Sequence, residues 1–174
     1  HPVDIFSSEQ DNESLTAIDD DRPNQGSDPA VLWNLFQSPT LNLTYNTLEM
    51  GDVNLDGYLD IMTGYDGQGI LLWLGDGNGG WQNVSTPPTT TGNYKDLCVG
   101  DINNDGKPDI VGAKQGGISA WFGTGTGSGW GADVGPFASG TFNAITLDDV
   151  NLDGNIDILS AATGSGTRKG AQVF

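Results

Sequence analysis

One nine-residue phrase, D-x-N-x-D-G-x-x-D, occurs three times, at Asp52 to Asp60, Asp101 to Asp109 and Asp149 to Asp157, with starts 49 and 48 residues apart. Three acid-rich loops at one period constrain the chain to be a repeat protein in which every unit places the same turn. Side chains at positions 1, 3 and 5 supply oxygens that can converge on one hard cation. Glycine at position 6 permits φ > 0, so that the carbonyl of position 7 also turns inward, and the position 9 carboxylate closes the set. An all-oxygen set without His or Cys inside the loop suits Ca²⁺ rather than zinc or copper, and Mg²⁺ tolerates so crowded a carboxylate cage less well.

Asp, Asn and Gly are also the residues that turns prefer, and one copy alone could be a solvated loop. Repetition argues for metal: each copy carries all three aspartates, the asparagine and the glycine, with Ile after the last Asp. A twelve-residue helix-loop-helix site needs an acid at position 12, where this chain has Thr63, Gly112 and Ser160. Neither an EF-hand nor a dockerin fits.

With 27 Gly and eight Pro in 174 residues, sustained helix is disfavoured and short strands joined by tight turns are expected. The period supports four strands per unit. One leads into the loop (48–51, 97–100, 145–148) and a second leaves it (61–64, 110–113, 158–161). A third ends in an aromatic (70–74, 118–122, 171–174), and a fourth runs from Trp33, Trp81 or Trp130 toward Pro39, Pro87 or Pro136. Glycine-rich turns, Gly75 to Gly80 and Gly123 to Gly129, precede the second and third Trp. Four short strands per unit is the pattern of a β-propeller blade. The fold class is therefore all-β, with blades of four antiparallel strands. Residues 1–29 are polar, acidic and aperiodic, as in an extended tail or linker. Residues 30–174 hold three repeats, about 33–80, 81–129 and an incomplete 130–174.

The phrases G-D-V-N-L-D-G-Y-L-D-I, then G-I-L-L-W-L-G-D-G-N-G-G-W, and G-D-I-N-N-D-G-K-P-D-I, then G-I-S-A-W-F-G, resemble FG-GAP/VCBS repeats. These are the calcium-loop blades of integrin-α-like β-propellers and of many secreted microbial proteins. The resemblance covers residues 31–174 and implies Ca²⁺ at three sites. They are Asp52, Asn54, Asp56, the Tyr58 carbonyl and Asp60; Asp101, Asn103, Asp105, the Lys107 carbonyl and Asp109; and Asp149, Asn151, Asp153, the Asn155 carbonyl and Asp157. One departure is Asp148-Asp149 where the other repeats have Gly-Asp. Another is the count, since three blades fall short of the usual four to eight. Either a second copy completes the propeller head to tail through open blade edges, as a ring or a fibre, or the chain is part of a longer propeller.

The net charge of −17 divides along the chain. Eight acids beside Arg22 occupy the first 30 residues, leaving fifteen acids and five bases, or −10, for residues 31–174. Three divalent ions would bring that body to −4, so its acidity is mostly ligand chemistry. Six scattered basic residues make no phosphate-binding stripe, which argues against nucleic acid. The longest apolar run, Ile70 to Leu74, is far too short to span a membrane.

No enzyme is expected. There is no Ser-His-acid or Cys-His set, the triad carboxylates are committed to metal, and the one histidine, His1, has no second His with which to hold copper. Cys98, on an apolar strand, reads as a small hydrophobe. The expected function is a calcium-stabilised, secreted or cell-surface module for adhesion or fibre assembly. The alternative is a glycan-binding, lectin-like propeller or the non-catalytic part of a larger carbohydrate-active protein. A glycan or protein ligand would then sit on the face opposite the acid loops (65–68, 114–116, 163–169, 87–94 and 137–142), where Tyr65 and Tyr94 could stack on a sugar or serve as half-buried edge residues. The repeated tryptophans suit inter-blade packing better than sugar contact. Sequons at Asn12, Asn42 and Asn83 permit N-glycosylation, and the Thr-Pro stretch 85–91 permits O-glycosylation.

Overall fold

Among the described residues, short, β-branched and aromatic runs cut by glycine form ten strands in antiparallel meanders. The computed structural model describes residues 43–65, 67–135, 140–163 and 170–173. The tail at 1–29, Trp33, Pro39, Asn12, Asn42, Asp66, Pro136 and Phe174 lie outside them, as do residues 137–139 and 164–169 of the expected ligand-binding face. The first blade is β1 (Tyr45–Gly51), β2 (Asp60–Tyr65), β3 (Gly69–Gly75) and β4 (Trp81–Asn83), hydrogen-bonded in that order. The second is β5 (Tyr94–Gly100), β6 (Asp109–Lys114) and β7 (Gly117–Trp121). The third is β8 (Thr141–Asp148), β9 (Asp157–Thr163) and β10 (Gly170–Val173).

The strand expected from Trp130 toward Pro136 is reduced to a bridge between Trp130 and Gly123, with Gly131 and Val134 N–H groups bonded to the Phe122 and Ala120 carbonyls at 2.7 and 3.0 Å. The hydroxyl- and glycine-rich run 123–129 closes its turn through Thr124 N–H on the Gly129 carbonyl at 3.0 Å, as Asp76 N–H on the Gly80 carbonyl at 3.2 Å does before β4.

Alternation along each strand sends one set of side chains forward and the next backward. Met62, Ile70 and Leu72 from the back of the first blade meet Tyr94, Leu97, Ile110 and Trp121 from the front of the second. Val111, Ala113, Ile118 and Ala120 from the second blade's back meet Phe142, Ile145 and Ile158 of the third. Edge-to-face pairs recur in register: Tyr45 with Trp73 at 6.4 Å and Tyr94 with Trp121 at 5.6 Å. Trp73 and Trp121 are thus packing residues, and Trp130 packs partly buried against the first core.

Two glycines explain the Gly-Asp entrance to the loops. A Cβ on Gly51 would lie 3.1 Å from Val99 of the next blade, and one on Gly100 would lie 2.9 Å from Leu147. The third repeat has Asp148 at this position, exposed, with its Oδ1 accepting the Asp149 N–H at 2.9 Å. Glycine is required only where a following blade packs closely against the strand end.

The inner strands β1, β5 and β8 are tied by one carboxylate. Asp96 Oδ2 accepts the Ile145 N–H at 2.8 Å, and Oδ1 accepts the Thr47 hydroxyl at 3.3 Å, so a single side chain joins all three blades. Nearby, burial raises the Glu49 carboxyl above its usual range and the Asp96 charge raises it further, against the lowering effect of a Val99 N–H bond. A carboxyl raised in the fold favours folding at low pH and loses that contribution as pH rises through its folded value. Glu49→Gln should therefore raise the melting temperature at neutral pH, with the gain vanishing as pH falls below the ordinary carboxylate range. A gain that persists at acid pH would refute this account.

One repeat position tests the packing directly. Leu97 is 2% exposed between blades, whereas its equivalent Leu48, on the front of the first blade, is 60% exposed. Leu97→Ala should cost about 2–5 kcal/mol in urea unfolding, and Leu48→Ala in dilute solution less than about 0.5 kcal/mol.

Candidate metal centre

Each acid loop joins an inner strand to the second strand of its blade, and its side chains are arranged by hydrogen bonds that recur three times. At position 1, Asp52, Asp101 and Asp149 accept the position 5 N–H on Oδ1 at 3.1, 3.0 and 3.0 Å and the Gly57, Gly106 and Gly154 N–H on Oδ2 at 2.8 Å each. At position 3, Asn54, Asn103 and Asn151 accept the same position 5 N–H at 3.2, 3.0 and 2.9 Å. At position 5, Asp56, Asp105 and Asp153 accept the N–H of Tyr58, Lys107 and Asn155 at 2.9, 3.0 and 2.8 Å. Two oxygens sharing one donor hold positions 1 and 3 side by side.

The position 9 aspartate works differently because it begins a strand. Asp60, Asp109 and Asp157 reach back to the position 2 N–H of Val53, Ile102 and Val150 at 2.8, 3.0 and 3.1 Å. Asp60 and Asp109 also accept N–H groups of Gly75 and Gly123, from the end of the third strand or just beyond it, at 2.9 and 2.8 Å. Both are fully buried. Burial raises their carboxyls. The N–H bonds oppose the rise, while Asp56 and Asp52, or Asp105 and Asp101, add to it. Position 2 locks the loop to the blade: Val53 is buried in the first inter-blade core, and Ile102 packs against the second.

Position 4 carries a feature that the motif does not announce. Leu55, Asn104 and Leu152 all take positive φ, at 61, 57 and 60°, and the position 6 glycines follow at 88, 80 and 88°. Asn adopts this conformation readily, but for Leu it costs about 1–2 kcal/mol. Such strain persists only where its surroundings enforce it, and it clusters at functional sites. Asn104 was the one legible signal. It also links neighbouring loops, its Nδ2 donating to Asn155 Oδ1 at 2.9 Å.

Among the described residues, no group of three or more His, Cys, Asp or Glu side chains stands ready as a cation cage. The loop carboxylates are turned onto backbone N–H groups, yet their oxygens keep a second lone pair, except Asp153 Oδ1, which accepts both the Asn155 N–H and its Nδ2 at 2.8 and 2.9 Å. The donor set fits a hard cation: it is all oxygen and lies beside two buried carboxylates under like-charge repulsion. Only the second loop carries its own cation, the Lys107 ammonium 3.3 Å from Asp105 Oδ2. Burial pushes Asp105 upward, but the Lys107 N–H and ammonium outweigh it and hold the carboxyl low.

A family model described as an FG-GAP-like repeat matches residues 52–112 and again 101–160. The chain belongs to the FG-GAP-like repeat family. Each match starts on the first aspartate of one loop and runs through the next, so these repeats span the inter-blade core as well as the loop. No curated protein matches the chain.

Opposite the loops of this FG-GAP-like chain, the connections interlock. Gly69 N–H bonds the Gly92 carbonyl at 2.9 Å, Ile70 N–H bonds the Thr89 carbonyl at 3.1 Å, and Gly116 N–H bonds the Gly140 carbonyl at 2.7 Å. Tyr94 is 1% exposed and accepts a hydrogen bond from Lys114 Nζ at 3.0 Å, with the ammonium 5.0 Å from its ring centroid. It cannot stack on a sugar; its hydroxyl follows Lys114 while its ring fills the core. Tyr65 is half-buried. Cys98 donates to the Ile145 carbonyl at 3.4 Å, and burial, with Glu49 and Asp96 nearby, pushes its thiol up to about 12. A thiol so rarely ionised is no nucleophile. Asn83 is exposed at an edge strand, accessible to modification.

Proposed function

We propose that the chain is a calcium-stabilised extracellular repeat module, non-catalytic, used for adhesion or surface assembly. The observation that carries this reading is the hydrogen-bond pattern repeated around the three loops, two of which close on a buried, charge-crowded carboxylate. Calcium would relieve the repulsion that burial intensifies. Asp52, Asn54, Asp56, Asp60 and their counterparts would hold it, with the Tyr58, Lys107 and Asn155 carbonyls. A site missing from the unfolded chain converts binding energy into folding energy. Calcium at a hundred times Kd contributes about 2.7 kcal/mol per site. Transfer from calcium buffer to EDTA should therefore lower the melting temperature by on the order of 10 °C or more. Unchanged melting would defeat the reading.

Assembly is supported by apolar residues exposed at matching positions on the two outer faces of the described blades. On the front of the first blade Leu48 and Met50 are exposed, although their equivalents Leu97 and Val99 pack in the core that joins the first two blades. On the back of the third, Val150 and Val173 are exposed, where Val53 and Leu72 of the first blade are buried. We read these as two halves of one inter-blade contact, completed by a second copy of the chain. Asp148 stands where Gly51 and Gly100 admit the next blade, so docking at the same spacing requires its side chain to swing aside. Sedimentation at rising concentration should show self-association that Leu48→Lys abolishes and Asp148→Gly strengthens. A protein that stays monomeric throughout removes the second copy as the occupant.

A further inference from the structure

An open cleft lined by two aromatic side chains lies on the loop side of the first blade. Two adjoining hollows, about 540 and 310 Å³, share Tyr58, Asp76 and Trp81. We propose that this cleft binds a neutral sugar ring, clasped between Tyr58 and Trp81 and hydrogen-bonded through Asp76.

Glycine sets the walls. The Tyr58 ring lies against Gly77, at φ 71°, so closely that any Cβ there would strike it. That contact supports the ring on one side and leaves the residue 48% exposed. Trp81 rests on Gly75, its Cζ3 3.2 Å from where a Cβ would stand. Asp76 lines both hollows with them; its Oδ1 accepts the Asn78 and Gly80 N–H groups at 2.8 Å each, and its Oδ2 takes no part in those two bonds. These bonds hold the Asp76 carboxyl below its usual range, so it is an acceptor at neutral pH. The Asn54 and Gln82 amides complete the lining.

The fold does not require this set. At the equivalent places in the second blade stand Lys107 for Tyr58 and Thr124 for Asp76, while the tryptophan seat recurs, Trp130 Cζ3 lying 3.3 Å from where a Cβ on Gly123 would stand. What the first blade adds is chemistry suited to a ligand: the Tyr58 ring beside Trp81 for the C–H faces of a pyranose, with the Asp76 carboxylate and the Gln82 amide for its hydroxyls. Asp56 and Asp76 in the lining disfavour anions. The inference goes beyond the calcium reading and relocates sugar recognition to the loop side of the blade.

The test is calorimetric and tryptophan-fluorescence titration of the full chain with methyl glycosides of glucose, galactose, mannose, fucose, xylose and N-acetylglucosamine, and with choline. Running each with calcium and in EDTA separates failure of this site from failure of the calcium reading. At least one sugar should saturate. Trp81→Ala and Asp76→Asn should each weaken it roughly tenfold or more, and Tyr65→Ala should leave it unchanged. Asp76→Asn keeps an oxygen for both N–H bonds, and an unaltered melting temperature would show that its loss of affinity is not unfolding. No saturable sugar, binding that survives both substitutions, or uptake of choline instead would overturn the proposal.

Discussion

No blade in this chain can bury both of its own faces, and the fold is built to meet that constraint. A three- or four-stranded antiparallel sheet of this size leaves apolar side chains on each side. The described core consists of two such surfaces closed between neighbours: Met62, Ile70 and Leu72 under Leu97 and Trp121, and Val111, Ile118 and Ala120 under Phe142 and Ile145. The same constraint leaves Leu48 on one outer face and Val173 on the other in water. Local composition follows from it as well. Gly51 and Gly100 end the inner strands because the side chains of the next blade occupy the space of a Cβ, and Asp148 stands where the described residues provide no next blade.

The acid loops are coupled to that packing at both ends. Position 2 enters the inter-blade core, as Val53 does, and position 9 begins the strand beside it, where Asp60 collects N–H groups from its own loop and from Gly75. A charge change at the loop is therefore felt by the strands. Burial that excludes water from Asp60 and Asp109 strengthens their repulsion from neighbouring aspartates, because the effective dielectric falls. The loops thereby tie their hydrogen-bond network to both inter-blade cores, through Val53 in the first and Ile102 against the second.

The strands around each loop were legible because hydrophobic alternation, Gly-rich turns and the 48- to 49-residue period agree. The strand after Trp130 was less so. The same Trp-to-Pro pattern gives β4 in one blade and a lone bridge in the next, although the turn before each Trp closes with its own backbone hydrogen bond, Asp76 N–H on the Gly80 carbonyl and Thr124 N–H on the Gly129 carbonyl. Tyr94 illustrates the other limit. Its residue type suits a sugar platform or a core equally, and the partners that decide, Lys114 and Trp121, are 20 and 27 positions away in sequence. Leu55 and Leu152 at positive φ follow no propensity; loop closure forces the conformation on them.

The repeat, its period, the antiparallel blades and the residues of the acid loops follow from local pattern along the chain: alternation, turn residues and oxygen donors at fixed offsets. Packing between blades sets which faces are closed, that a single carboxylate, Asp96, joins three blades, and that Tyr58 and Trp81 line a cleft while Tyr94 and Trp121 are buried in a core. Those outcomes turn on which side chains from different blades arrive at the same place, and the order of residues along one blade does not specify that.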